Sequence, residues 1–202
     1  MPTSLPNRAE SSGEGAPETR YAYKASLMGS AHQFELTDRG LSWKVSGRSG
    51  VWAYGDIAGI SMSYRPTSMQ AHRFRADITH KSGARIKILS TNWQTVSLMT
   101  PQDGGYRAFM TELHQRMASA GSTARLTGGL STYLYAAALA FVALLAVAMA
   151  GLFIRALTTG EHAGALFLVG FALLFNWQIG GFIRRNRPIG YSFDQLPAAL
   201  LP

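Results

Sequence analysis

The chain of 202 residues contains no cysteine, which excludes disulfides, thiolate metal sites and cysteine nucleophiles. It also lacks the HExxH, GxSxG and Walker patterns that mark common hydrolases and nucleotide-binding proteins. His72 and His80 share one face of a predicted strand, but about 26 Å of extended chain separates them, too far to share a metal. We therefore expect a protein that is not an enzyme and that has no metal and no cofactor.

Charged residues and histidine are absent from two long runs, 131–154 and 163–183. Each run is about as long as the roughly 20 residues that a helix needs to cross a hydrocarbon core near 30 Å thick. The alternative is a buried hairpin in a soluble protein, but the rest of the chain has too little apolar surface to cover two helices that are apolar on every side. The sequence therefore predicts a transmembrane helical hairpin with the loop 155–162.

The distribution of arginine predicts the orientation of this hairpin. Its outer flanks carry the arginines Arg116, Arg125, Arg184, Arg185 and Arg187, whereas the loop has only Arg155. Because positively charged residues favour the cytoplasmic side, we expect both termini in the cytoplasm. In a bacterium the loop would then be periplasmic, and the protein would be a multi-pass protein of the inner membrane.

Alanines recur along the first predicted span at positions that face one way on a helix. Ala136, Ala140 and Ala143 have the spacing that lets two helix backbones approach, so we expect them to form the seam with the second span. Asn176 and Gln178 are the strongly polar side chains of the second span. Since both lie within about 12 Å of Arg184, we interpret them as interfacial, with a substrate or ion path as the alternative.

The part of the chain before the hairpin is basic. Residues 21–125 hold thirteen Lys or Arg against six Asp or Glu, a net charge of +7. Such charge next to a bilayer is attracted to anionic phospholipid headgroups. Nucleic acid is the other common partner of basic domains, but a membrane tether disfavours it, and we expect no nucleic acid.

Short segments with a period of two predict antiparallel strands between residues 21 and 92. One hairpin turns at 37–40, and a second strand pair, 51–54 with 57–64, turns at Gly55 and Asp56. The third hairpin spans 72–89, with Lys81, Ser82 and Gly83 as its loop. Its register places Ile78 opposite Ile86 and Asp77 opposite Lys87.

That register gives the third hairpin one apolar face and one basic face. We expect an anionic surface to contact the basic side chains Arg73, Arg75, Arg85 and Lys87. Asp77 opposite Lys87 supports the register and neutralises part of the charge.

An amphipathic helix is predicted over 103–120, because Tyr106, Phe109 and Leu113 recur on one face. Asp103 is its expected N-cap. Antiparallel strands closed by one amphipathic helix indicate an α+β domain. We expect this domain to occupy 21–120, after a disordered tail, 1–20, and before a linker, 121–130.

The ordered set of motifs resembles bacterial pleckstrin-homology-like modules. It comprises the segment from Leu36 to Trp43, then Tyr54-Gly55-Asp56-Ile57, then the final helix with Tyr106, Phe109 and Leu113. The resemblance implies a bent antiparallel sheet or partly open barrel of about seven strands, capped by one C-terminal helix. It also implies a binding or scaffolding module without catalytic residues, and it gives no ligand.

Residues 184–202 are predicted to be a cytoplasmic tail that is too apolar to be free. Its expected docking residues are Tyr191, Phe193, Leu196 and Leu200. They would pack on the soluble domain or on the bilayer surface, and partner binding is a further alternative.

These features together predict a membrane-anchored binding or scaffolding protein whose basic domain meets a protein partner or an anionic phospholipid. The alternative is an accessory or regulatory subunit of a membrane transporter or other membrane complex, in which the hairpin is the recognition element.

Overall fold

A computed structural model describes residues 19–26, 28–68, 70–95 and 98–202 of the chain. The first strands form a four-stranded antiparallel sheet in sequence order. These strands are β1 (Arg20–Tyr23), β2 (His32–Thr37), β3 (Gly40–Val45) and β4 (Arg48–Trp52). The predicted hairpin with its turn at 37–40 is confirmed by the β2–β3 register, in which Leu36 faces Leu41. Residues 1–18 of the predicted disordered tail, 1–20, lie outside the described residues. Its last residue, Arg20, belongs to β1.

A 3₁₀ turn, Tyr54–Asp56, carries the chain from the first sheet to a second one. There, β5 (Ile57–Tyr64), β6 (Phe74–His80) and β7 (Arg85–Leu89) form an antiparallel meander. The predicted pairing of 51–54 with 57–64 was wrong, because β4 pairs with β3 and β5 pairs with β6. Periodicity identified both strands but carried no information about which neighbour each would choose.

The β6–β7 hairpin has the predicted register. Ile78 faces Ile86, and Asp77 faces Lys87. Gly83 adopts a φ of 86°, a left-handed conformation that glycine takes without a steric penalty and that ends the three-residue loop. One face of this hairpin is therefore apolar and buried, as predicted.

Two short strands, β8 (Thr91–Trp93) and β9 (Met99–Pro101), pair with each other and lead into helix α1 (Asp103–Ser119). The helix buries one apolar face completely, and its fully buried residues there are Tyr106, Phe109, Met110, Leu113 and Met117. The expected N-cap at Asp103 was off by one residue: Gln102 is the N-cap, and no side chain caps the helix. Asp103 is instead the first helical residue, where a carboxylate is favourable to the helix dipole.

The segment 121–130, which we expected to be a linker, contains strand β10 (Arg125–Gly128). It adds to the second sheet in parallel with β5, whereas we expected only antiparallel pairs. Two long helices follow, α2 (Thr132–Thr158) and α3 (His162–Arg185), and both are long and apolar enough to cross a membrane. Strand β11 (Ile189–Gly190) then pairs with β10, so the second sheet has the order β11-β10-β5-β6-β7.

The two sheets do not close into a barrel in the described part of the chain. Strands β1 and β7 share no backbone ladder, and two tyrosine side chains bridge them instead. The Tyr21 hydroxyl donates to the carbonyl of Leu89 at 2.6 Å, and the Tyr23 hydroxyl donates to the carbonyl of Lys87 at 2.6 Å. The fold is α+β, with antiparallel strands in both sheets and one helix, α1, over the shared core.

Candidate basic site and membrane junction

The outer face of the second sheet collects positive charge from four strands. Its register puts alternate residues of β10, β5, β6 and β7 on the side away from the core. The cations on this side are Arg125, Arg65, Arg73, Arg75, Arg85 and Lys87. Asp77 is the carboxylate on the same side. We call this surface the basic face.

Four of these cations are the predicted ones, and they differ in exposure. Arg85 and Lys87 are exposed, whereas Arg73 and Arg75 are partly buried. Arg85 lies opposite Thr79, near the loop that joins β6 to β7. Arg73 immediately precedes the first residue of β6, at the opposite end of that strand. The basic face therefore has an open half near the loop and a more enclosed half near Arg73.

Sequence reasoning missed Arg65 and Arg125. Arg65 follows the last residue of β5, and its backbone N–H still bonds to the Arg73 carbonyl at 2.8 Å, which extends the β5–β6 ladder by one pair. Arg125 belongs to β10, which the sequence pattern left in a linker. The alternation of Met62 and Tyr64 with Ser63 and Arg65 was a usable signal for the first residue, whereas the parallel pairing of β10 had none in local sequence.

Asp77 neutralises a different partner from the one that its register suggests. It stands opposite Lys87, as predicted, but its carboxylate pairs with the guanidinium of Arg75 at 2.6 Å. Both side chains are well covered, at 29% and 22% exposed. Arg75 and Asp77 lie two positions apart on β6, so their side chains project from the same side of the sheet and one guanidinium nitrogen meets one carboxylate oxygen.

Arg73 has no anionic partner among the described residues. Its Nε is buried and makes no hydrogen bond, and the same is true of the Nε of Arg75. Burial lowers the pKa of Arg73, and the like charge of Arg75 lowers it further. The enclosed half of the basic face therefore contains guanidinium donors that lack acceptors.

The strand ends beside Arg73 meet the end of helix α3. The Tyr64 ring contacts Phe74 at 5.4 Å and Phe182 at 6.5 Å, measured between ring centroids, and the guanidinium of Arg185 lies 4.9 Å from its centre. Asn186 is fully buried, and its Oδ1 accepts the backbone N–H of Tyr64 at 3.1 Å. This network fixes the last turn of α3 against β5.

Both ends of the helical hairpin are held together at the same place. The Leu130 N–H donates to the Asn186 carbonyl at 2.9 Å, just before α2 begins and just after α3 ends. Gly129 has a φ of 85°, and a Cβ there would lie 2.3 Å from the Arg187 carbonyl oxygen. The chain thus leaves the domain after β10 and returns to it before β11, and these two points lie within hydrogen-bond distance of each other.

The C-terminal tail packs into the domain. Leu200 is fully buried in the core, and Tyr191, Phe193 and Leu201 pack against it. Leu196 is partly buried. The Tyr191 hydroxyl lies 3.0 Å from Nε2 of His114, whose Nδ1 donates to the Met110 carbonyl at 2.7 Å. Burial lowers the pKa of His114 and raises that of Tyr191, which favours the neutral form of both.

The seam between α2 and α3 differs from the predicted one. Ala136, Ala140 and Ala143 are exposed. The residues of α2 that are partly covered are Tyr135, Ala138, Val142, Leu145, Met149, Phe153 and Ala156. Successive members of this set are three or four residues apart, as along the contact face of a supercoiled pair, so larger side chains occupy the seam and the alanine stripe is turned away.

A groove of about 360 Å³ remains between the two helices. Its lining includes small residues of both helices, Ala146 and Ala150 of α2 with Ala172 and Gly180 of α3, and the amide of Asn176. Asn176 and Gln178 are both exposed, and the side chain of neither makes a hydrogen bond among the described residues. Asn176 therefore faces the groove, whereas Gln178 does not line it.

No group of three or more histidine, aspartate or glutamate side chains that could hold a metal occurs among the described residues. Comparisons with protein-family models, with curated proteins and with solved structures found no match to this chain. The candidate site therefore rests on its own geometry: a basic face that abuts a pair of long apolar helices.

Proposed function

We propose that the protein is a membrane-anchored binding module that presents its basic face to anionic phospholipid. The observation that carries this proposal is the junction at Tyr64, where the enclosed end of the basic face adjoins the last turn of α3. Each Lys or Arg close to an anionic leaflet contributes about 1 kcal/mol of attraction. Six cations and one carboxylate beside a membrane helix favour such an interaction. An acidic protein partner is the other anionic surface that this face would fit.

Further features support the membrane arrangement that we propose. Arg184 and Arg185 lie in the last turn of α3 and Arg187 follows it, whereas the other end of the hairpin carries only Arg155, in the last turn of α2. This asymmetry favours an orientation with both termini in the cytoplasm and the connection, 155–162, in the periplasm, as in an inner-membrane protein. The order of four strands, three strands, the short pair β8–β9 and then helix α1 also supports our proposal of a pleckstrin-homology-like module that binds and does not catalyse.

The structure suggests a soluble form for the test. Because the Leu130 N–H and the Asn186 carbonyl are 2.9 Å apart, a short Gly-Ser linker in place of 131–185 should leave both sheets and the tail intact. We expect this hairpin-replaced chain to float with vesicles of phosphatidylglycerol and phosphatidylcholine at low salt, and not with phosphatidylcholine alone. High salt should release it, since screening shortens the range of the attraction to less than about 8 Å.

A matched pair of triple variants tests the face itself. Replacing Arg85, Lys87 and Arg125 by Gln should weaken binding to anionic vesicles by about two orders of magnitude, at ~1 kcal/mol per charge. The control replaces three exposed cations of the first sheet, Arg39, Lys44 and Arg48, by Gln, with the same loss of charge. Equal weakening by both triples would contradict a role for the basic face. Absent vesicle binding would contradict lipid as the ligand and leave the acidic protein partner.

A second candidate function, an accessory or regulatory subunit of a membrane complex, is favoured by the groove at Asn176. An amide in hydrocarbon without a partner is costly, and polar side chains between membrane helices commonly bond to one another. If the hairpin is the recognition element, purification in mild detergent should yield a stoichiometric complex. Asn176→Leu should weaken that complex, and Gln178→Leu, outside the groove, should not. A chain that purifies alone in mild detergent would contradict this candidate.

A further inference from the structure

Arg65 and Arg73 form a pair of like charges at the membrane end of the basic face. The hydrogen bond from Arg65 N–H to the Arg73 carbonyl places the two residues opposite each other, one step beyond the Tyr64–Phe74 pair. The next pair on the same side is Ser63 with Arg75. Three arginines therefore share the outer side of the sheet where the β5–β6 ladder ends.

This arrangement is unfavourable unless something else completes it. Like charges directly opposite each other in a sheet repel. The one nearby carboxylate in the described part of the chain, Asp77, is already paired with Arg75 at 2.6 Å. Buried donors without acceptors are rare in proteins, yet the Nε atoms of both Arg73 and Arg75 are buried and unbonded. The site has more donors than the described residues can satisfy.

We infer that Arg65, Arg73 and Arg75 bind one phosphate group, with the hydroxyl of Ser63 beside it. A phosphate offers several acceptor oxygens in different directions, whereas a carboxylate offers two in one plane. A phosphate can therefore accept hydrogen bonds from three guanidinium groups at once. Arg65 Nε lies 3.4 Å from the Ser63 hydroxyl, which keeps that guanidinium over the same side of the ladder. The ligand replaces the missing acceptors and separates the like charges.

The position of the site favours a phosphate at the bilayer surface. Tyr64 lies between Arg65 and Ser63 in the chain and contacts Phe182 and Arg185 in the last turn of α3. Helix α3 has 24 residues, about 36 Å at 1.5 Å per residue, so its ends reach the headgroup region of a bilayer with a core of about 30 Å. This inference rests on the proposed lipid binding and deepens it: one defined headgroup site is added to a diffuse attraction. A free phosphate ion presents the same chemistry.

The test uses the full chain in a maltoside detergent and titrates it by calorimetry. The probes are dihexanoyl phosphatidylglycerol and inorganic phosphate. We expect saturable binding of one phosphatidylglycerol per chain, weakened about tenfold by Arg73→Gln, since a bidentate arginine contact of this kind is worth at least a factor of ten. Arg73→Lys should weaken it comparably, because a lysine keeps the charge but loses the fork.

Arg48→Gln is the matched control, since it removes the same charge from an exposed position of the first sheet, outside the basic face. We expect it to change the affinity less than twofold. Thermal unfolding of each variant checks the fold, and Arg65→Gln replaces Arg73→Gln if the latter does not fold. Tighter binding of inorganic phosphate than of the lipid would keep the phosphate site and make a free phosphate its ligand.

Two results would overturn the inference. One is the absence of saturable binding of either probe. The other is equal weakening by Arg73→Gln and Arg48→Gln, which would mean that the chain attracts anions without a defined site. In that second case the vesicle binding of the hairpin-replaced chain would persist, so the proposed function would stand while the phosphate site would fall.

Discussion

Helix α1 and the α2–α3 hairpin are apolar in different ways, and they depend on different surroundings. The large apolar side chains of α1 lie on one face and are fully buried against the two sheets. Helix α2 has no buried residue, and α3 has one, Ala165. The apolar side chains of α1 pack against the rest of the protein, whereas the exposed apolar side chains of α2 and α3 are suited to contact with lipid. Because Leu200 is fully buried in the core that α1 covers, we expect the stability of the domain to depend more on the segment after the hairpin than on the hairpin.

The largest expected effect comes from removing one or the other of these segments. A hairpin-replaced chain that also ends after Arg187 loses β11 and Leu200 from the sheet and core, and we expect it not to fold stably. The hairpin-replaced chain should fold and remain soluble, because the ends that it joins are already hydrogen-bonded. Soluble yield and cooperative thermal unfolding measure both. A truncated chain that unfolds cooperatively at the same temperature as the hairpin-replaced chain would contradict the comparison.

Leucines at the two places should respond differently to the same substitution. Leu200→Ala is expected to destabilise the domain by about 2–5 kcal/mol, since it removes buried apolar volume and leaves a cavity. Leu144 is 68% exposed on α2, so Leu144→Ala should leave the domain within about 0.5 kcal/mol of the original. Chemical denaturation of the full chain in detergent, followed by tryptophan fluorescence of the domain, gives both values. Equal effects would show that Leu200 is not part of the core in solution.

The closeness of the two hairpin ends can be tested at a glycine. Gly129→Ala and Gly83→Ala both force alanine into a left-handed conformation, at a cost of about 1–2 kcal/mol. At Gly129 the new Cβ would also meet the Arg187 carbonyl, whereas at Gly83 nothing lies within 4 Å. We expect Gly129→Ala to cost about 1–3 kcal/mol more. The same denaturation assay applies, and similar losses at both sites would contradict the close approach.

The contact of the tail with α1 should make stability depend on pH. Burial lowers the pKa of His114 below its ordinary 6.5, although the bond to the Met110 carbonyl partly opposes this. The folded chain then binds fewer protons than the unfolded chain, so the stabilisation is present above about pH 6.5 and is lost as the pH falls below it.

The measurement is the change in melting temperature of the hairpin-replaced chain between neutral and mildly acidic pH. Burial also lowers the pKa of His32, so the original chain combines both histidines. His114→Gln and His32→Gln should each reduce the change in melting temperature, and His72→Gln, at an exposed position, is the matched control. An undiminished pH dependence in His114→Gln would show that its protonation is not coupled to folding.

The smallest effect is expected on the exposed alanine stripe. Ala143→Leu should change the stability of the hairpin by less than about 0.5 kcal/mol, because Ala143 is exposed. Leu145→Ala, in the seam, should cost about 1 kcal/mol. Unfolding in detergent followed by the helical circular dichroism signal compares the two. A larger loss for Ala143→Leu would restore the seam that the sequence predicted.

Local sequence patterns predicted the parts of the fold that depend on residues close together in the chain. The register of β6 and β7 followed from alternation and from Gly83, and the apolar face of α1 followed from its spacing. The parallel pairing of β10 with β5 joins residues more than 60 positions apart, and no local pattern encodes such a partner. Arg125 was missed for the same reason, whereas the alternation along β5 was a local signal that could have identified Arg65.

The amino-acid sequence by itself determined two apolar helices, a basic α+β domain and a tail too apolar to be free, because these follow from composition and from periods of two and 3.6 residues. Only the tertiary structure decided that the tail completes the core and that three arginines share one side of the sheet where β5 and β6 meet the end of α3. Those outcomes depend on pairings between distant segments, where geometry and burial select one partner among several of similar local propensity.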